Sequence, residues 1–390
     1  RAVRTSPGTL APGDDVTVDS SGGSSGSDAA DAAQAADGPQ RPSRGRRTWT
    51  RRFGQHLGRQ HGVERVGRLA ALGVAGVLLL CVGARLTHFD DLIGWPFPAV
   101  NAFTPLLCLP AYPLIGYALV RRSRLLAAGM VATAALHLTW TVPEFVRVGQ
   151  GHHLIPRAAE VRLMTANVNG WNTGVARIAT QLDQEKPAVL LLEEYTPLIA
   201  GQLRAVPALR DFRYSVLRPS YEPFGYAVYS RYPLTTAPDL HAAGFPFGRM
   251  TVTLPSGNRF ELVVVHTRSP VGGAYTRRWA DQLDALRTEV SRAEAARTGG
   301  AGARIPLVLA GDFNATRDHR PFRRLLGAGL RDAHDVAGAG WSPTWSATAR
   351  WKETTRIDHI LVSSDVTVDR YHRGAPFGSD HLPISADLQL

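Results

Sequence analysis

Three long apolar stretches, set off by charge, dominate the first 150 residues. Residues 69–84 and 97–120 contain no charged side chain, and 125–146 contains only Glu144, near its end. A helix of about 18 residues rises roughly 27 Å, close to the ~30 Å hydrocarbon core of a bilayer, so each stretch is of spanning length. The pattern predicts three transmembrane helices within 69–148. Pro105, Pro110 and Pro113 would break a helix in water, and in a membrane they predict a kinked or discontinuous second span.

Beyond Pro156 the period changes. Short β-rich runs, VRLMTANV (161–168), AVLLLEEY (188–195), FGYAVYSRYPL (224–234), FELVVVHT (260–267), IPLVLAGDFN (305–314) and TRIDHILVS (355–363), alternate with turns and with helical spacing at 175–184 and 279–296. This alternation over 157–390 predicts one α/β domain with two stacked sheets or one large sheet. At the other end, residues 1–40 are rich in Gly, Ser, Ala, Asp and Pro, which predicts a disordered segment with too little apolar material to bury.

Charge orients the apolar stretches. Residues 41–68 hold nine arginines and one acid, Glu64; the loop at 121–124 adds Arg121, Arg122 and Arg124, whereas the first loop carries Asp90 and Asp91. The positive-inside bias then makes the basic 41–68 juxtamembrane segment and the 121–124 loop cytoplasmic, and an odd number of spans delivers 157–390 to the extracellular side of the cell membrane. The lipid bilayer is the first expected partner. The formal charge of +11 adds little, because residues 157–390 hold 28 basic and 23 acidic side chains, too even a balance for a polyanion binder. Two cysteines, Cys81 and Cys108, both in apolar runs, exclude a disulfide framework, and 44% hydrophobic residues exclude global disorder.

Polar residues gather where the apolar strands end. Asn167 and Asn169 close the first run, Glu193 and Glu194 the second, His266 the fourth, and Asp312 and Asn314 the fifth; Asp358 and His359 lie inside TRIDHIL, and Asp380 and His381 follow a Gly-Ser turn. Carboxylates in such places carry a desolvation cost unless they bind something, and a metal with a phosphate would satisfy them together. Oxygen donors without a Cys/His zinc spacing favour Mg²⁺ or Mn²⁺. Such an ion neutralises phosphate oxygens and assists the leaving oxygen, while a carboxylate orients or deprotonates water.

Five ordered pieces, TANVNGW, LLLEEY, VVVHTRSP, LAGDFNAT and RIDHILVS with GSDHLPI, make residues 161–390 resemble the endonuclease/exonuclease/phosphatase superfamily. The resemblance implies a four-layered α/β sandwich with the site at one end of two facing sheets. It makes Glu194 the principal metal carboxylate, with Asn167 beside it and Asp380 nearby, and leaves Glu193 at a position where glutamine is common. Asp312 resembles the residue that polarises the attacking water and Asn314 the amide that bonds transition-state oxygens. His381 corresponds to the contact with the scissile phosphate, Asp358 to the acid that fixes its tautomer, and His266 to a second histidine at the phosphate or leaving group. Arg249 and Arg268 are further substrate-contact candidates, and Trp171 and Trp351 are cleft or core residues. His319, His334, His359 and His372 are expected to be surface or structural. Taken singly, Asp312 also reads as a turn cap, His266 as a strand-edge histidine and Asp358 as a structural turn acid.

These motifs define phosphoric ester or diphosphate hydrolysis and leave the substrate open. Three apolar stretches ahead of an exported domain of this family also resemble, over 41–390, the actinomycete membrane proteins linked to teicoplanin resistance. That resemblance implies a polyprenyl (undecaprenyl) pyrophosphate phosphatase tied to cell-wall metabolism. The alternatives are a membrane-anchored DNase-like nuclease, a phospholipid or sphingomyelin phosphodiesterase, and an inactive sensor or interaction module. Tethering raises the effective concentration toward lipid-linked substrates, and the sequence shows no dense Arg and aromatic groove to track a nucleic-acid strand.

Overall fold

The computed structural model describes residues 45–88, 94–150, 160–298, 305–346 and 354–390, with backbone alone at 45–61 and 297–298. The expected disordered segment 1–40, the acids Asp90 and Asp91, and Trp351 lie outside the described residues. Residues 64–390 form one compact unit; in the unit that precedes it, the chain is helical from Gly45.

Among the described residues two helices, not three, are long and apolar enough to cross a membrane: Gly62–Thr87, within α1 (Gly45–Thr87), and Arg124–Phe145. The expectation of a third helix is corrected at 97–120. That stretch folds as α2 (Phe97–Asn101), α3 (Thr104–Leu107) and α4 (Ala111–Val120), and the ten residues of α4 rise only about 15 Å. The cause is proline. Pro98 and Pro105 sit in the first turns of α2 and α3, Pro110 caps α4, and each lacks the N–H that would continue the preceding helix.

The interrupted stretch still runs between the same two ends as its neighbours. Arg121, just past α4, pairs with Glu64 at 3.5 Å, while the Pro98 carbonyl at the other end accepts a 2.7 Å hydrogen bond from His319. The next helix, α5 (Arg124–Thr141), finishes where α1 does: the Arg85 guanidinium lies 3.6 Å from the centre of the Trp140 ring. Ala71, Ala75 and Leu78 of α1 pack with Ala111 and Leu114 of α4 and Met130 of α5, the three alanines being small enough to let the backbones approach.

The remainder is a sandwich of two six-stranded sheets. The first has the order β11–β12–β1–β2–β4–β3, with β1 (Glu160–Asn167), β2 (Val189–Glu193), β3 (Tyr214–Arg218), β4 (Tyr226–Ser230), β11 (Thr367–Arg373) and β12 (Ile384–Gln389). The second has the order β5–β6–β7–β8–β10–β9, with β5 (Leu234–Ala242), β6 (Phe245–Thr253), β7 (Arg259–His266), β8 (Leu307–Asp312), β9 (Leu330–Asp332) and β10 (Asp358–Ser363). In β7, Phe260, Leu262 and Val264 face the other sheet, meeting Leu163, Leu191 and Val228. The intervening Val263 and Val265 face outward onto Trp279, Leu283 and Leu286 of α8 (Gly273–Thr298). The first sheet is likewise backed by α6 (Ile178–Glu185) and α7 (Pro197–Leu203), through Ile178, Leu182, Ile199 and Leu203. Four layers result. A strand buried on both faces reads as an unbroken apolar run, which is why the central strands were conspicuous in the sequence.

Both pairs of central strands, β1–β2 and β7–β8, are parallel, so their C-terminal ends share one edge of the sandwich. The register aligns Asn167 with Glu193, His266 with Asp312, and Asp358 with Asp312. Asn167, Glu193, His266, Asp312 and Asp358 therefore fall on the same rim, whereas His359, one residue into β10, is buried behind it.

Candidate active site

The last turn of β8 is made possible by Gly311. Its φ is 136°, and a Cβ there would lie 2.0 Å from the Val265 carbonyl oxygen, so only glycine lets β8 close against β7. Asp312 follows, almost fully buried. Its Oδ1 accepts the Asn314 backbone N–H at 2.7 Å, and its Oδ2 accepts from the Asn167 and Asn314 side-chain amides at 3.1 and 3.2 Å.

Two histidines face this carboxylate. His381 Nε2 stands 3.8 Å from Asp312 Oδ2, and its Nδ1 is 3.0 Å from Asp358 Oδ2, which in turn accepts from the Thr344 hydroxyl at 2.5 Å. His266 Nδ1 lies 2.8 Å from the Pro223 carbonyl, which can only accept, so Nδ1 carries the proton there. That leaves His266 Nε2 facing Asp312 at 3.7 Å and Glu194 at 3.9 Å. Burial alone would push His381 down, yet the charges of Asp358 and Asp312 outweigh it and raise the imidazole to about 10. Burial raises the Asp312 carboxyl, against the pull of His381.

Glu194 leaves β2 with a positive φ of 56°, which turns its side chain past the strand end. Its Oε1 accepts from the Asn167 amide at 3.0 Å and its Oε2 from the Gly170 N–H at 2.9 Å. Asp380 sits across the rim, held by the Asn169 amide at 2.9 Å and the Trp345 indole N–H at 3.3 Å. Glu193 points between the sheets, fully buried, and burial raises its carboxyl well above the carboxylate range; it is a neutral acid that accepts from Thr165 at 2.6 Å. A neutral glutamic acid resembles glutamine in shape and hydrogen bonding, which suits its place in the motif.

The donor set fits a hard divalent cation. Glu194, Asp380 and Asp312 supply carboxylate oxygens held by amide donors, the chemistry such ions require. Asn167 turns its NH₂ toward Glu194 and Asp312 and its carbonyl toward the Asn169 N–H, so in this rotamer it spaces the carboxylates. Asp312, Asp358 and His381 also bring one ligand atom each within 4.8 Å of one another. With His381 raised and hydrogen-bonded to Asp358, that trio reads as a proton-holding relay.

The two arginine candidates separate. Arg249 of β6 is paired across strands with Val263, on the outward face under α8, and its guanidinium binds Glu261 at 2.5 Å. It is therefore corrected out of the site: alternation along the strand puts it behind the sheet that carries His266. Arg268 lies two residues past His266, amid the rings of Phe224, Phe245 and Tyr275 at 5.4, 5.1 and 4.6 Å. Phe224 also packs on His266, so Arg268 stands beside the mouth. His319, His334 and His359 are buried and hydrogen-bonded, whereas His372 is half exposed beside Glu185. Three supporting residues went unassigned from sequence: Asn169, Thr344 and Trp345. Asn169 stood in TANVNGW and was detectable there; Thr344 and Trp345 belong to an irregular loop with no motif.

A two-sheet α/β sandwich with carboxylates and histidines converging at parallel strand ends defines a phosphoesterase-type domain. Residues 164–381 match the model of the endonuclease/exonuclease/phosphatase family, more than half of the chain, and the protein belongs to that family of metal-dependent phosphoester hydrolases. Among solved structures, a member from Beutenbergia cavernae DSM 12333 shares 20% identity over 60% of this chain and 72% of its own, with a TM-score of 0.44. TDP2 of D. rerio, complexed with single-strand DNA product, shares 18% over 60% and 100%, with a TM-score of 0.45. The mannosyl-6-phosphatase Bt3783 of Bacteroides thetaiotaomicron VPI-5482 shares 17% over 59% and 100%, also with a TM-score of 0.45. No curated protein matches the chain.

Proposed function

We propose that this protein hydrolyses a phosphoester or pyrophosphate bond of a lipid-linked substrate at the membrane surface, and that a polyprenyl pyrophosphate of the undecaprenyl type fits best. One observation carries the reading: the loop that bears Asp312 and Asn314 continues into Asp318 and His319, which bond Arg85 and Pro98 where the apolar segments end. A phosphate held at Asp312 thus lies near the plane where a bilayer would present lipid head groups. Exposed Trp171 and Tyr221, on loops beside the site, suit an amphiphilic ligand.

In this reading Asp312 draws a proton from the attacking water and aims it at phosphorus, and the Asn314 amide swings from Asp312 to a phosphoryl oxygen. His381, protonated and braced by Asp358, donates its Nε2–H to the phosphate. The P–O bond opposite the water breaks and the leaving oxygen departs as an anion past His266, whose Nε2 lines that side without a proton to give, and Arg268 offers its charge at the mouth. Mg²⁺ or Mn²⁺, held by Glu194 and Asp380, with Asn167 bracing Glu194 and Asn169 bracing Asp380, would neutralise charge building on the phosphoryl oxygens. The arginine-rich 41–68 segment and the 121–124 loop stay cytoplasmic, and the broken 97–120 stretch makes the return crossing that leaves 157–390 outside. Its place in the cell would be wall-lipid recycling, with a contribution to teicoplanin tolerance.

The test is phosphate release by the detergent-purified protein with Mg²⁺ or Mn²⁺ from undecaprenyl pyrophosphate, set against cleavage of duplex DNA and sphingomyelin, with Glu194→Ala as control. Phosphate release lost in that variant supports the proposal. Cleavage of DNA or sphingomyelin without action on the pyrophosphate would move the function to a nuclease or phospholipid diesterase, and metal binding without any turnover to a sensor module.

A further inference from the structure

The segment from Phe313 to His319 is gripped from two sides. On the membrane side, Arg85, near the end of α1 and stacked on Trp140, donates to Asp318 Oδ1 at 2.5 Å, and both partners are buried. One residue on, His319 Nε2 bonds the Pro98 carbonyl at 2.7 Å, while its Nδ1 accepts the Thr316 N–H at 2.8 Å. On the catalytic side, Trp279 packs edge-on against His319 with ring centres 5.0 Å apart and donates its indole N–H to the Phe313 carbonyl at 3.2 Å. Phe313 lies between Asp312 and Asn314, so contacts run without a gap from the end of α1 to the two residues that would handle water and phosphate.

We infer that Asp318 and His319 are positioning residues that couple the docked apolar segments to the catalytic loop, so that full turnover requires Arg85 and Pro98 in place. A tether needs no such contacts; a flexible linker would hold the domain at the surface equally well. Here a buried ion pair and a histidine bonded at both nitrogens fix the loop itself. Removing Arg85 leaves buried Asp318 with only the lesser attraction of Arg323 and Arg317, which loosens the segment, and displacement of Asp312 or Asn314 follows because the segment is only seven residues long. The inference rests on the hydrolase reading of the site for its consequence in rate, and on geometry alone for the coupling.

The experiment uses the full chain in detergent: wild type, Arg85→Ala, the conservative Arg85→Lys, and His319→Ala. Two readouts are taken, kcat and KM for the water-soluble diester bis(p-nitrophenyl) phosphate with Mn²⁺, and amide hydrogen exchange across 312–319. Arg85→Ala and His319→Ala are expected to lower kcat about ten-fold with KM nearly unchanged, since small misplacements act on the chemical step. Exchange should quicken at 313–319 and not in the sheets, and Arg85→Lys should restore both readouts. Unchanged kcat and exchange in Arg85→Ala would overturn the inference, as would equal losses in the Ala and Lys variants with exchange raised throughout the fold. A wild type inactive on every phosphoester would defeat the hydrolase reading, yet exchange confined to 313–319 in Arg85→Ala would still uphold the coupling, and unaltered exchange would refute it.

Discussion

Asp312 is the residue on which the site's chemistry turns, because it alone touches both amides and faces both histidines. Replacing it with Asn keeps the shape, leaves one acceptor oxygen in place of two and removes the base. The expected result is a fall in kcat of about 10² to 10⁴-fold, the usual contribution of a positioned base, with KM little changed. Single-turnover kinetics on the same substrate would check this, and a wild-type chemical step would remove Asp312 from that role. Asp312, His381, Asp358, Glu194 and His266 were visible in the sequence because a polar residue ending an apolar strand is conspicuous. Asn169 was visible in the same way, without its role of holding Asp380, whereas Thr344 and Trp345 act through the side chains they hold and lie where no periodic pattern marks a position.

Between β9, β10 and the segment after β8 runs a buried charged network. Arg356 donates to Asp332 at 2.5 Å and to Asp335 at 3.1 Å; His359 bonds Asp332 at 2.7 Å and the Ala315 carbonyl at 2.8 Å. It therefore ties two strands to the catalytic segment. Burial alone would raise the Asp332 carboxyl, but Arg356 and His359 outweigh it and hold it below the usual range. A carboxyl depressed on folding contributes stability that is present above its unfolded pKa of about 3.9 and is lost as pH falls toward the folded value. Asp332→Asn should thus cost about 3 kcal/mol near pH 7, by taking from buried Arg356 the nearer of its two carboxylate partners and leaving it Asp335. Denaturant unfolding of both proteins across pH should show that gap narrow below pH 4; no gap at pH 7, or one that ignores pH, would contradict the assignment. At this scale the central strands were legible, whereas β3 and β5 were not, since each exposes much of its length to solvent. In β12 the polar letters Ser385 and Asp387 conceal a buried strand, because Glu185 receives the serine and Arg162 and Arg370 neutralise the acid.

Across the whole molecule, hydropathy located the apolar region and counted three helices where two are of spanning length among the described residues; the prolines that pointed to a discontinuous second span, Pro105 and Pro110, stand where its pieces begin. What composition could not show is that the region touches the catalytic segment, a contact made by Arg85 and Pro98, single residues within long apolar runs. The molecule is thus a family hydrolase whose site is joined to apolar helices, and its proposed substrate and sidedness stand or fall together. Phosphate release from added polyprenyl pyrophosphate should be compared in right-side-out and inverted membrane vesicles containing the protein, with Glu194→Ala vesicles subtracted. Release by right-side-out vesicles, dependent on a divalent cation and weak toward a short-chain soluble diphosphate, is the expected result. Release confined to inverted vesicles, or equal rates on the lipid and the soluble diphosphate, would contradict it.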